Sequence, residues 1–394
     1  MTVWQKGVIT LIKSALKGEK YPIPVGLDLE KTIQLAQIHQ IPVLLYYGAA
    51  INGFDKNSLE MKKLFNLVCA HLQASEQQLY EVNRVSEAFE AEDIDFLPLK
   101  GMVLKSMYEK PEMRAMGDCD ILIKIEQYER IKIVLEKLGY GFCYESDHEL
   151  VWSIDGLCLE LHKSIVPTYD EDFYSFFGDG WDVAIKEQNS SKHHMSDEDF
   201  YIYMFVHFAK HFRNTGIGIK HLVDFWVFAK EVPTIDWEYI EQQLEKFGLA
   251  EFFENVKRTV SVWFDGAEAN SKTDIITETI FSGGAFGDFE TGKVSRVLCD
   301  VERGSSLLGT KARTFLKLVF LPYKHMCEKY AILKKIPILL PFTWVIRIFS
   351  VIVFKRKKVV SYKKKQSNIT SGTLKKRKEQ LLSIGLDPQR RRDL

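Results

Sequence analysis

Six cysteines are scattered over 394 residues, and no two of them form a CxxC pair. That scarcity excludes a zinc ribbon and a disulfide framework and suits a reducing, cytoplasmic setting. The glycine-rich Ser282-Gly283-Gly284-Ala285-Phe286-Gly287 lacks the Gly-Lys-Ser/Thr ending of a phosphate-binding P-loop and reads as a loop or lid. His207 and His211 have the i, i+4 spacing of a zinc-protease helix, but Phe208 stands where the catalytic glutamate would be. The first twenty residues have no small-residue cleavage site, and Lys6 and Lys13 interrupt their apolar positions, so an amphipathic helix is expected there instead of a signal peptide. Net charge is missing as well, 53 Lys and Arg balancing 53 Asp and Glu. The strongly apolar run 336–354 (IPILLPFTWVIRIFSVIVF) contains Pro341 and Arg347. A central arginine costs roughly 2.5–3.5 kcal/mol on insertion scales, so no transmembrane span is expected, and the run reads as a buried or membrane-surface helix.

What is present is a folded-protein composition, 46% hydrophobic and 27% charged, on a chain long enough for two or three domains. Residues 1–92 have helical apolar spacing, for example Val8, Leu11, Ile12 and Leu16, broken by Pro22 and Pro24. From 93 to 190 the period changes. Strands are predicted at 94–99, 118–123, 140–144, 149–154 and 157–162, with helices at 102–109 and 126–138. Asp155-Gly156 is a hairpin-turn signal. Helical spacing returns over 191–354, except that 265–292, rich in Gly, Ser and Thr, reads as a loop. The tail, 355–394, carries fourteen Lys and Arg against three acids. It reads either as a solvated tail or as a contact for RNA or an anionic membrane surface, the latter giving a peripheral location.

The stretch 97–123 organises the chemistry. An apolar strand ends at Lys100-Gly101 and opens into a helix; a loop with Arg114 leads to a second strand beginning Asp118-Cys119-Asp120. Residues two apart on a strand share a face, so Asp118 and Asp120 project together, while Cys119 points away. Side by side, two carboxylates repel unless a cation lies between them, and a hard divalent ion suits oxygen ligands. In LCLELH (157–162), Glu160 faces away from Leu159 and Leu161 and supplies a third acid from a neighbouring strand. Three such carboxylates can hold two divalent ions for in-line nucleotidyl transfer. Gly101 at the strand-to-helix turn would allow close backbone approach to a phosphate. Asp224 reads either as the structural partner of Lys220, four residues away, or as part of a site.

The ordered set Leu99-Lys100-Gly101, Arg114, Asp118-Cys119-Asp120-Ile121-Leu122, Glu160-Leu161-His162, His207-Phe208-Ala209-Lys210-His211, Gly216-x-Gly218 and Leu222-x-Asp224 resembles the uncharacterised bacterial nucleotidyltransferases of the DNA polymerase β-like superfamily. The resemblance implies an α+β fold, with a small mixed-sheet nucleotidyltransferase core flanked by N-terminal and C-terminal helical regions. It implies Asp118, Asp120 and Glu160 as catalytic and metal-binding residues for Mg²⁺ or Mn²⁺. Lys100, Gly101, Arg114, Lys210 and His211 follow as nucleotide contacts. The implied reaction moves an NMP from an NTP, with ATP the expected donor, to an unidentified hydroxyl acceptor. Met102 departs from the superfamily, which has Gly or Ser there. Two alternatives stand beside this reading: a toxin-type nucleotidyltransferase acting on tRNA, and a non-catalytic nucleotide-binding or interaction protein.

Overall fold

A computed structural model describes all residues except 168–170, 286, 288, 303, 322, 324–325, 328–329, 355–368 and 389–394. The chain divides into two compact units. In the first, Met1–Asp288 fold together with Ile384–Leu386; the second is built on Phe289–Ser383.

The first unit opens with helices α1 (Val3–Lys17), α2 (Leu29–His39), α3 (Pro42–Ile51) and α4 (Leu59–Ala91). Thr2 and Gln5 form a reciprocal capping box that satisfies the free N–H groups at the start of α1. Val8, Leu11, Ile12 and Ala15 of α1 face α3 and are buried. The two helices cross so closely at Gly48 that a Cβ there would lie 1.9 Å from the Leu11 carbonyl oxygen. Only glycine fits that crossing.

A five-stranded sheet follows: β1 (Phe96–Pro98), β2 (Cys119–Ile123), β3 (Gly141–Glu145), β4 (Glu149–Ile154) and β5 (Leu157–His162), in the order β1-β2-β5-β4-β3. All pairs are antiparallel except β2 and β5, which run parallel with Asp120 opposite Glu160. Asp155 and Gly156 both have positive φ (49° and 83°), as their dipeptide signal predicts for a type I′ turn. One face of the sheet carries Cys119, Ile121, Ile123, Leu159 and Leu161 onto Val85 and Phe89 of α4 and onto Ile131, Val134 and Leu135 of α6 (Tyr128–Lys137). The alternation that buries those residues sends Asp120 and Glu160 to the other face.

Helix α5 is shorter than the predicted 102–109. It spans Gly101–Leu104 and gives way to a 3₁₀ turn at Lys105–Met107. There the buried ammonium of Lys105 donates to the Ser75 hydroxyl of α4. A polar group with an ammonium's desolvation cost must find such a partner, and the chain bends to provide it.

After α7 (Glu171–Phe177) and a small ribbon of β6 (Ile185–Lys186) and β7 (His193–His194), helices α8 (Asp197–Asn214), α9 (Lys220–Glu231), α10 (Trp237–Lys246), α11 (Ala250–Phe264) and α12 (Ser271–Ser282) complete the unit. Phe205 and Phe208 of α8 pack on Phe225 of α9 and Phe252 of α11, with ring centroids 5.3–5.9 Å apart. The predicted loop 265–292 is corrected by α12, at Ser271–Ser282. Asn270 and Thr273 form its capping box, and its buried stripe mixes Thr273 and Thr277 with Ile276 and Ile280. Thr277 is bonded by the Trp263 indole N–H, so a polar residue serves as a core residue and hides the helical period.

In the second unit the described helices are α13 (Phe289–Glu302), α14 (Leu307–Val319), α15 (Leu340–Phe354) and α16 (Ser371–Ser383). Met326, Cys327 and Leu333 form a small core against which Leu340 and Trp344 of α15 pack. Among the described residues no helix is long and apolar enough to cross a membrane. Half of the basic tail read from sequence, 355–368 and 389–394, lies outside the described residues.

Candidate active site

The polar face of the β2–β5 pair forms the floor of a cavity of about 380 Å³ in the first unit. Asp118, Asp120, Glu160, Lys100, Gly101, Arg114, Lys210 and His211, all singled out from sequence, line it. Asp118 lies just before β2, while Asp120, one step inside the strand, is buried. Cross-strand register sets Glu160 beside Asp120, and His162 follows Glu160 on the same face. Two ligand sets result, each with donor atoms within 4.8 Å of one another: Asp120, Glu160 and His162, and Asp118, Cys158 and Glu160. Glu160 belongs to both.

The charges are unevenly compensated. Asp120 Oδ1 accepts from Lys100 Nζ at 2.9 Å and from His162 Nε2 at 2.7 Å. Burial alone would raise the pKa of Asp120, but the Lys100 ammonium and His162 hold it well below the usual carboxylate range. Burial likewise opposes the charge on Lys100, and Asp120 overcomes it. Glu160 has no such partner of comparable weight. Burial, then Asp120 and Asp118, push its pKa up to about 8, and burial followed by Asp120 also raises Asp118. The floor therefore holds more carboxylate than its own cations neutralise, as an oxygen-rich divalent-ion site requires before it is filled.

Lys100 reaches Asp120 from an unusual backbone, φ 44° and ψ −113°. A non-glycine residue held there is strained, and such strain persists where the surroundings over-determine it. The next residue, Gly101, has no room for a side chain: a Cβ would lie 2.9 Å from Met116 Cγ and 3.0 Å from Arg114 Nη1. Close packing against the 114–116 loop thus accounts for this glycine.

Two helices form the opposite wall. Met204, His207, Lys210 and His211 of α8 and Lys220, His221, Asp224 and Phe225 of α9 line the cavity. Burial and the neighbouring Lys210 depress His211 to about 4, and His207 and His221 are held well below the normal range, first by burial. Burial and the Arg114 guanidinium pull Lys220 down to about 8. The wall facing the carboxylates is therefore cationic at its lysines and neutral at its histidines.

Asp224 pairs with Arg114, a partner that helical spacing along α9 does not indicate. Arg114 Nε and Nη2 donate to the two oxygens of Asp224 at 3.0 and 2.9 Å, Tyr108 adds a hydroxyl donor at 2.7 Å, and Arg114 Nη1 reaches the Ala115 carbonyl. Both charged groups are about 5% exposed or less. Arg114 thereby ties the loop before β2 to α9. On the other side of that loop, Gln78 of α4 donates to the Met116 carbonyl at 2.8 Å. Lys220 was missed from sequence as a lining residue, because helical spacing made it Asp224's partner. His162 was quoted within a motif, but its role, donating to Asp120, comes from the β2–β5 register.

A sequence model of an uncharacterised nucleotidyltransferase family matches residues 26–265. No curated protein sequence matches the chain. Among solved structures, the solution structure of the antibiotic-resistance factor ANT(2'')-Ia is similar over 44% of this chain and 92% of that one, at 13% identity and a TM-score of 0.34. A crystal structure of ANT(2")-Ia in complex with adenylyl-2"-tobramycin covers 48% and 97%, at 13% identity and a TM-score of 0.25.

Proposed function

The chain belongs to the uncharacterised nucleotidyltransferase family, and from that premise we propose that it moves an NMP from an NTP, with ATP the expected donor, to a hydroxyl-bearing acceptor, releasing pyrophosphate, at the Asp118–Asp120–Glu160 floor. The observation that carries this reading is the opposition of three converging carboxylates to a lysine-bearing wall within one cavity. The carboxylate oxygens of Asp118, Asp120 and Glu160 are the donors that suit Mg²⁺ or Mn²⁺; the Cys158 thiol beside them is a poor ligand for such hard ions, and His162 Nε2 is engaged with Asp120. Bound there, the ion would neutralise phosphate charge and lower the pKa of a hydroxyl nucleophile.

The protein's own groups have separable tasks. Asp118 and Asp120 would hold the ion, with Glu160 shared between their two ligand sets. His162 and Lys100 fix the Asp120 carboxylate in one orientation. As the acceptor oxygen bonds to the α-phosphorus, the bond to pyrophosphate breaks and the hydroxyl proton passes to the Glu160 carboxylate. Lys210 and Lys220 supply positive charge for the departing pyrophosphate. Arg114, with Nε and Nη2 on Asp224 and Nη1 on Ala115, contributes by holding the loop that delivers Asp118.

The test is incubation of the purified protein and a mixed metabolite and RNA pool with labelled ATP, GTP, CTP and UTP. Wild type should label an acceptor, and Asp118→Asn should not. Equal labelling by the two would reject the assignment. The identity of the labelled species would separate a small-molecule acceptor from tRNA.

A further inference from the structure

The charge balance of the whole chain conceals a segregation. From 303 to 383 the sequence carries twenty Lys and Arg and only two acids, Glu328 and Glu379. With 53 of each sign overall, the remainder is correspondingly acidic. The basic stretch coincides with most of the second unit.

The same unit exposes an ordered apolar face. On α15, Phe342, Val345, Ile346 and Phe349 are 66%, 64%, 56% and 70% exposed. Their spacing is i, i+3, i+4, i+7, which aligns them as one stripe on one side of the helix. The other side is already occupied. Leu340 and Trp344 pack on the Met326–Cys327–Leu333 core, Thr343 is buried, and the Trp344 indole N–H donates to the Leu321 carbonyl. The stripe is therefore a second apolar face on a helix whose first face already serves the core. Ile338, 79% exposed in the 3₁₀ turn leading into α15, extends it. A contiguous apolar patch of this kind marks an interaction surface.

We infer that α15 docks the enzyme on an anionic lipid surface, with the Phe342–Val345–Ile346–Phe349 stripe entering the headgroup region and the excess of Lys and Arg in this part of the sequence supplying the attraction to acidic lipids. The two observations favour this occupant together. A polyanion such as RNA would answer the charge but leave four large apolar side chains in water. A protein copy of the same unit would cover the stripe but bring together two units each with a large excess of Lys and Arg. A bilayer of acidic lipids answers both, through apolar burial plus about 1 kcal/mol per basic residue near the surface. Helix α15, fifteen residues long, lies on the surface in this arrangement and does not cross it.

The experiment is co-flotation of the full chain with vesicles of neutral phosphatidylcholine alone or with 30% phosphatidylserine. Binding is expected to the anionic vesicles only, and to weaken as salt is raised. Phe342→Ser with Phe349→Ser, both outward-facing, should reduce the partition coefficient tenfold or more while leaving the circular dichroism spectrum and nucleotidyl transfer unchanged. Should that double variant lose its fold, the wild-type comparison of neutral with anionic vesicles still decides the matter. Absence of flotation with anionic vesicles overturns the proposal, whether the protein then binds RNA or self-associates through the stripe. Equal binding by the double variant overturns it too.

Discussion

Arg114 and Asp224 lie 110 residues apart in sequence and form a two-pronged ion pair that fastens α9 to the loop preceding Asp118 and Asp120. Two charges at this depth repay their desolvation only through good geometry, and the Tyr108 hydroxyl and Ala115 carbonyl complete it. Asp224→Ala would leave the guanidinium buried and unpaired. It should cost about 3–5 kcal/mol, read as a lowered urea midpoint with unchanged slope. Arg114→Lys should keep only part of the pair's contribution, since an ammonium cannot engage both oxygens in one plane.

Asp118 and Asp120 should separate stability from activity. Removing the charge of Asp118 relieves repulsion at the floor, so Asp118→Asn should leave thermal stability equal to or above wild type while nucleotidyl transfer falls a hundredfold or more. Asp120→Asn should lose both, because Lys100 and His162 lose their anionic acceptor. Calorimetric melting alongside labelled-NTP incorporation measures the two effects.

Glu160 makes the metal-free protein sensitive to pH. Its folded pKa, about 8, lies above the ordinary glutamate value of 4.5, so between those values the folded state binds more protons than the unfolded state. Its contribution is fully present below about 4.5 and is lost as pH rises towards about 8. Urea unfolding with chelator present should show Glu160→Gln losing less stability than wild type across that window. A parallel fall in both proteins would contradict the assignment.

Metal binding should release a proton. A carboxyl that is largely protonated at pH 7 must lose its proton to ligate a divalent ion. Calorimetric titration with Mn²⁺ in buffers of different ionisation enthalpy should therefore give different apparent heats. In Glu160→Gln the dependence on buffer should shrink.

Lys220 should matter to the nucleotide. A charge-assisted contact contributes roughly 1.5–3 kcal/mol, so Lys220→Met should weaken NTP binding by about ten- to a hundredfold. Steady-state kinetics should show a fall of that size in kcat/KM for the NTP.

By itself the sequence determined the local geometry. Alternation fixed which residues of 118–123 and 157–162 share a face, the Asp155-Gly156 pair fixed the hairpin, and the i, i+3, i+4 spacing grouped His207, Lys210 and His211. Each depends on a period or turn preference contained within a few residues. Family membership was legible for the same reason, since it rests on an ordered set of short motifs. Helix α12 was not, because Thr273 and Thr277 fill core positions only once Trp263 and the Asn270 cap supply their hydrogen bonds. Tertiary structure alone decided the partners. The parallel β2–β5 register set Glu160 opposite Asp120, the folded chain brought Arg114 to Asp224 across 110 residues, and α9 placed Lys220 on the cavity wall. Pairing of charges depends on distance and dielectric across the folded chain, which spacing along the sequence does not encode.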